Sequence, residues 1–168
     1  MRYVVGGSLS FLLAMFQASS VEQVHVAGVV PNVMLVMLVC WLVVRGLDDV
    51  LPMVAVAGIT LGLVGLQSPG VVLLALLLAI APAGFVRELH FVRSEFLLAV
   101  VLLFAASLIY ESLLLAGVMI TGGAFDLRGG FGDVVLPAAV VNVCLVPPIH
   151  LVMRLARPAA ARNRYSYS

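Results

Sequence analysis

Charge is scarce in this sequence. No lysine occurs, nine residues are arginine, and eight are acidic. Charged residues make up 10% of the chain and hydrophobic residues 64%, whereas soluble domains carry about a quarter charged residues. A soluble fold cannot remove that much apolar surface from water, so we expect a membrane protein. The few arginines also form no basic surface of the kind that binds nucleic acid.

Side chains that bind metals or perform chemistry are few and scattered. Cys40 and Cys144 stand alone in apolar runs without the spacing of a zinc site or disulfide framework, and we expect both to be small buried residues. His25, His90 and His150 lie far apart in sequence, which predicts no metal cluster. The apolar runs contain neither paired acids nor a nucleophile with a base. The sequence therefore predicts a protein without enzymatic activity or cofactor.

Long apolar runs occupy nearly all of the chain. A transmembrane helix needs about 20 residues, so six spans would use nearly all of the chain. Six apolar runs are present: 3–19, 33–44, 50–66, 71–86, 96–120 and 134–153. Turn-forming and polar residues separate them. We predict an all-α, polytopic bundle of six transmembrane helices formed by residues 1–153, followed by a basic cytoplasmic tail formed by residues 154–168.

The arginines are distributed unevenly between the two sides that this topology defines. Positively charged residues in short loops stay in the cytoplasm. With both termini inside, only Arg128 lies outside, and the other eight arginines are cytoplasmic. The sequence thus predicts a multi-pass protein of the bacterial cytoplasmic (inner) membrane, with both termini cytoplasmic and membrane lipid around it.

One acidic residue, Glu111, lies well inside an apolar run, where a carboxyl group is costly. Ser107 precedes it by one turn. Counted from the outer helix ends, Glu111 lies about 14 Å deep and Asn142 of the sixth run about 12 Å deep. We therefore predict an intramembrane polar pair, Glu111 and Asn142, serving either packing or a proton or substrate site. Glu111→Gln should then be milder than Glu111→Leu.

The sixth run also contains two consecutive prolines, Pro147 and Pro148. Neither can donate a hydrogen bond to the carbonyl group one turn earlier, on Val143 or Cys144. We predict a kink in helix six at this point, either structural or a functional hinge.

Small residues recur along one flank of two predicted helices. Such flanks let helices approach closely in membranes. They could pack on each other or dock a partner helix, and the candidate positions are Gly6, Ser10, Ala14 and Ala18 in the first run, and Gly58, Gly62 and Gly65, with Ala55, in the third.

Several segments resemble the rod shape-determining MreD family. They are Pro31-Asn32 leading into residues 33–46, the GITLGL sequence at 58–63, Glu111, and the LPAAVVNVCLVPPIHLVMR sequence at 136–154. The last, with its spaced proline, asparagine and proline residues, is the most specific, and the resemblance extends over essentially the whole chain.

The resemblance implies a non-enzymatic subunit of the machinery that elongates rod-shaped bacteria. Family members bind the scaffold protein MreC, and through it the glycosyltransferase RodA, a penicillin-binding transpeptidase and the MreB filament, in support of lateral peptidoglycan synthesis. The family fold is similar to that of the substrate-binding subunits of energy-coupling-factor transporters. The alternative is thus a small-molecule-binding transport subunit, and Ala14 and Ala18 resemble the motif by which such subunits engage a coupling protein.

Overall fold

The computed structural model describes residues 2–19, 28–65, 68–89, 92, 94–120 and 130–155. These residues form helices and no β-strand. The helices are α1 (Arg2–Ser19), α2 (Val33–Arg45), α3 (Leu47–Val64), α4 (Pro69–Glu88), α5 (Glu95–Ile120), α6 (Leu136–Cys144) and α7 (Val146–Leu155), and one π-helical turn, Phe131–Val135, leads directly into α6.

All six apolar runs are helical, but they differ in their ability to cross a membrane. Three of the described helices, α3, α4 and α5, are long and apolar enough to span one, and α6 with α7 makes a fourth if the bent pair counts as one span. Helix α1 has 18 residues but is less apolar. Helix α2 has 13 residues, about 20 Å at 1.5 Å per residue, against a hydrocarbon core about 30 Å thick. By length and composition, the described part of the chain thus contains three or four candidate membrane spans.

Helix α2 is the centre of the bundle. Its sequence is hydrophobic on every side, and a helix of that kind is stable only when it is enclosed. Most of its side chains are buried accordingly, and those with no exposed surface at all are Met34, Leu35, Val36, Leu38, Val39, Cys40 and Leu42. The other helices pack around it, so that short α2 has protein rather than lipid as its surroundings.

Close contacts between helices define the two ends of the bundle. A Cβ atom on Gly6 of α1 would lie 3.2 Å from the Met53 side chain near the start of α3, so the beginnings of these two helices lie together. A Cβ atom on Gly84 of α4 would lie 2.7 Å from Leu47 Cδ1, so α4 ends where α3 begins. The charged end of the bundle accordingly comprises Arg45, Asp48, Asp49, Arg87, Glu88 and Glu95.

The C-terminus of α7 lies at this same charged end. The His150 ring packs edge-on against Phe96, at the start of α5, with 5.8 Å between ring centroids. Because α1 also begins at this end, the first described helix begins and the last one ends on the same side of the bundle.

A tight connection joins α2 to α3 at the charged end. Gly46 has a φ angle of +102°, a conformation that residues with a side chain rarely adopt. The Arg87 guanidinium of α4 packs on it, with Nη1 3.4 Å from where a Cβ atom would be, and Arg87 Nε donates to the Val43 carbonyl at 3.2 Å. An arginine from another helix thus caps the C-terminus of α2, where carbonyl groups lack helical partners.

The last helical segment bends sharply. Helices α6 and α7 meet at 42° around Leu145, immediately before Pro147 and Pro148, which is where the sequence predicts a kink. The cause is local, because the two proline nitrogens cannot continue the helical hydrogen bonds. Both prolines are exposed, whereas Val146 between the bend and the prolines is fully buried.

Candidate functional site at the buried start of α2

The backbone that leads into α2 is not helical, although it lies inside the bundle. Pro31 and Asn32 are buried, and α2 begins only at Val33. Non-helical backbone at membrane depth is tolerated where protein encloses it and satisfies its polar groups. The Asn32 side chain satisfies one of these backbone groups, because its Oδ1 accepts from Leu35 N at 2.9 Å as a helix N-cap.

Asn142 of α6 fixes this backbone from the other side. It has no exposed surface, and its Oδ1 accepts from the Asn32 backbone N–H at 2.7 Å. Its Nδ2 donates to Ser107 Oγ of α5 at 3.2 Å, which is also fully buried. The Tyr110 side chain, one turn further along α5, lies next to the Asn32 side chain. One amide side chain therefore joins α2, α5 and α6.

Gln17 of α1 holds the same stretch of backbone. Its Nε2 donates to the Pro31 carbonyl at 2.9 Å, and the side chain is only 8% exposed. A buried backbone carbonyl group needs a donor from backbone, side chain or water, and Gln17 supplies it here. We call Gln17, Asn32, Ser107, Tyr110 and Asn142 the polar cluster.

The structure pairs Asn142 with Ser107 and Asn32, and no hydrogen bond joins Asn142 to Glu111 among the described residues. Glu111 is half-buried, one helical turn beyond Ser107. The depth comparison changes because the last helical segment begins near Gly130 rather than at 134. Asn142 then lies about 18 Å below its helix start, and Ser107 lies about 20 Å below the end of α5, whereas Glu111 lies about 14 Å below it.

The small-residue flank of α1 is covered within the chain. Gly6, Ser10 and Ala14 are buried and Ala18 is half-buried. A Cβ atom on Gly6 would already touch the Met53 side chain of α3. This flank therefore packs on α3 and is not open to a partner helix.

The flank of α3 is also covered, but by α4 rather than by α1. A Cβ atom on Gly58 would lie 2.7 Å from Leu73 Cα, and one on Gly62 would overlap Pro69 Cα. Gly65 ends α3, and its N–H donates to the Leu61 carbonyl at 2.7 Å. Spacing identified both flanks as sites of close packing, but each packs on a different neighbour inside the chain.

The two cysteines differ in their surroundings. Cys40 is buried in α2, whereas Cys144 is exposed, contrary to expectation. The reason is helical geometry, since two positions correspond to about 200° and Asn142 faces inward. In the described part of the chain, no three His, Cys, Asp or Glu side chains come close enough to hold a metal ion.

The roles of Asn32 and Arg87 in fixing the two ends of α2 are not evident from the sequence. Asn32 directly precedes an apolar run, and an asparagine in that position is a recognised helix-start signal, but its burial and its bond to Asn142 have no local signature. Arg87 belongs to a polar connection in the sequence, and nothing there indicates that it caps α2.

Comparison of the chain with protein-family models, curated proteins and solved structures gave no match.

Chemically, the polar cluster is made of amides and hydroxyl groups. None of its members is charged, and most of its hydrogen-bonding atoms are used on the chain's own backbone or on one another. Such a network gives a buried helix start a unique register. It provides no nucleophile with an adjacent base.

Proposed function

We propose that this chain is a non-enzymatic membrane subunit of the bacterial cell-elongation complex, with a role like that of MreD. In this proposal it binds the transmembrane helix of MreC and thereby supports lateral peptidoglycan synthesis and rod shape. The resemblance in sequence is the reason for naming this complex. The all-helical structure with several apolar helices long enough to span a membrane is compatible with it.

One observation carries the non-enzymatic role. The side chains of the polar cluster hold the start of α2, and the bundle presents its outer surface to other helices. That surface is rich in large apolar side chains on every long helix. Helices associate in membranes through close packing, and an outer surface of this kind suits a subunit that works by contacting partner helices.

The proposed topology has six spans with both termini cytoplasmic, in the inner membrane, and a fold similar to that of energy-coupling-factor binding subunits. Two features support it. The charged end collects the beginning of α1 and the end of α7, and α2 with the non-helical residues before it can cross as a broken segment enclosed by protein. Cysteine labelling of intact cells tests the topology: reagent should reach a cysteine at Gly130 but not one at Ser166, and the opposite result would invert it.

Photo-crosslinking tests the proposed partner and locates its contact. A photoreactive phenylalanine analogue is placed at one outward position per helix and, as a control, at buried Leu76. We expect MreC-sized crosslinks from one or two neighbouring outward positions and none from Leu76. Absence of MreC from every crosslinked band would contradict the proposal; the outward positions are Leu12, Leu63, Leu78, Val101 and Val140.

A small-molecule-binding transport subunit is the second candidate, and one observation favours it. Gln17 Oε1 is buried without a partner in the described part of the chain, beside the start of α2. Thermal stability of the purified protein, measured with a panel of vitamins and related compounds, separates the two functions. A saturable rise in melting temperature at micromolar ligand would favour transport, and no response together with an MreC crosslink would favour the elongation complex.

A further inference from the structure

Among the described residues, two backbone N–H groups in the first turn of α2 have no acceptor. The first N–H groups of any helix lack partners within it. Here Asn32 N donates to Asn142, and Leu35 N donates to the Asn32 side chain. No residue in the described ranges accepts from the N–H of Val33 or Met34. Met34 has no exposed surface and Val33 is half-buried, so at least the Met34 N–H is enclosed by the protein.

Gln17 provides an unpartnered acceptor at the same place. Its Nε2 bond to the Pro31 carbonyl holds the side-chain amide two residues before the helix start. The other amide atom, Oε1, is buried and has no partner among the described residues. This second observation is independent of the helix end, because it concerns a side chain from α1.

The requirements of these groups select one ligand chemistry. Leaving a buried donor or acceptor unsatisfied costs about 1–3 kcal/mol, so native structures satisfy nearly all of them. The site presents two N–H donors and one carbonyl acceptor. A carboxylate would only accept and an ammonium group would only donate, whereas the single oxygen atom of a hydroxyl group can accept twice and donate once. The positive end of the α2 dipole further favours an oxygen lone pair in front of it.

We propose that the start of α2 binds a hydroxyl group that donates to Gln17 Oε1 and accepts from the N–H groups of Val33 and Met34. The hydroxyl belongs either to an ordered water molecule or to a small hydroxyl-bearing compound. This site lies inside the bundle, beside the polar cluster. It is separate from any contact that the outer surface makes with partner helices.

Nuclear magnetic resonance on the full chain tests the site with water as the probe. The protein is labelled with ¹⁵N at valine, methionine and leucine and purified in a deuterated phosphocholine detergent, which carries no hydroxyl group. Rotating-frame cross-peaks between water and the amide protons of Val33 and Met34 are then measured. Leu35 is the internal reference, because its N–H is occupied by the Asn32 cap.

Two variants make the test specific. Gln17→Leu removes the acceptor, and Ser10→Ala is the matched control, since Ser10 is also fully buried on the inward face of α1 with an unpartnered Oγ. We expect water cross-peaks at Val33 and Met34 in the wild type, their loss in Gln17→Leu and their retention in Ser10→Ala. An unchanged Leu35 resonance shows that α2 has kept its fold.

The remaining outcomes separate the two sources of the hydroxyl. If the wild type lacks these water cross-peaks but releases about one hydroxyl-bearing compound per chain on denaturation, as identified by mass spectrometry, the compound is the ligand. The wild-type measurement alone can overturn the proposal: absence of both water cross-peaks and a released compound would do so. Cross-peaks of equal intensity in Gln17→Leu would show that Gln17 is not part of the site, and they would overturn the proposal as well.

Discussion

Replacing Asn142 by leucine removes the side chain on which the start of α2 depends. The variant loses the hydrogen bond from Asn142 Nδ2 to Ser107 and leaves the Asn32 backbone N–H without its acceptor. Leucine is of similar size and suits apolar surroundings, so the fold itself should persist. The variant therefore tests the value of two hydrogen bonds rather than the effect of a cavity.

The expected loss of stability follows from the two bonds. An unsatisfied buried donor such as the Asn32 N–H costs about 1–3 kcal/mol, and an interhelical side-chain bond in a membrane protein contributes about 0.6–2 kcal/mol. Burial of the leucine side chain offsets part of this loss of stability. We expect Asn142→Leu to lower the free energy of unfolding by about 2–4 kcal/mol and Ser107→Ala, which breaks only one of the bonds, by about 0.5–1.5 kcal/mol.

Reversible unfolding in mixed micelles, followed by helicity, measures these differences. Val140→Leu is the matched control, because Val140 lies on the outward face of the same helix, and surface changes of this kind are usually within about 0.5 kcal/mol. In the double variant, Ser107→Ala should add almost nothing to Asn142→Leu, since the bond is already gone. If Asn142→Leu were as stable as Val140→Leu, the polar cluster would not hold α2 and the reasoning would be refuted.

Three further predictions use the same unfolding measurement. Gly62→Ala should lower the free energy of unfolding by about 1–3 kcal/mol, because its Cβ would overlap the α4 backbone. Gly70→Ala is the control and should change it little, because nothing lies within 4 Å of a Cβ there. Equal effects would contradict the close α3–α4 packing. Gly46 combines a φ angle of +102° with the Arg87 guanidinium 3.4 Å from the position of a Cβ, whereas Gly28 has a φ angle of +81° and open space. Gly46→Ala should therefore lower the free energy of unfolding more than Gly28→Ala. The reverse order would show that the Arg87 guanidinium does not pack on Gly46. Glu111→Leu should be at least as stable as Glu111→Gln, because no hydrogen bond to Glu111 is found among the described residues; a less stable leucine variant would reveal a polar partner and restore the expectation from sequence.

The positions of the helices were predictable from sequence because their signals are local. Apolar runs and turn residues placed α5 to within one residue at its start, and placed α2 after Asn32, where the structure begins it at Val33. The surroundings of each helix were less predictable. The apolar run 33–44 is typical of a short transmembrane helix, and nothing in the run itself indicates that other helices enclose α2.

The candidate site was only partly predictable, because its contacts are distant in sequence. Asn142 was expected to face inward, but its partner was expected to be Glu111. The estimate of depth relied on where the last helix begins, and a start four residues earlier moves Asn142 by about one turn, to the level of Ser107. For the small-residue flanks, spacing predicts that a helix packs closely there but not which helix, and Gly58 meets α4 rather than α1.

The bond between Asn32 and Asn142 has a consequence for how the protein is made. The two residues are 110 positions apart, and synthesis proceeds from the N-terminus. When α2 leaves the ribosome, neither Ser107 nor Asn142 exists, and α2 is too short to cross the bilayer alone. The non-helical backbone before it cannot face lipid with its polar groups unsatisfied. We therefore expect the start of α2 to reach its final position only after α6 has been synthesised, and a chain truncated before Asn142 to lack the hydrogen bond that fixes it, far upstream of the truncation.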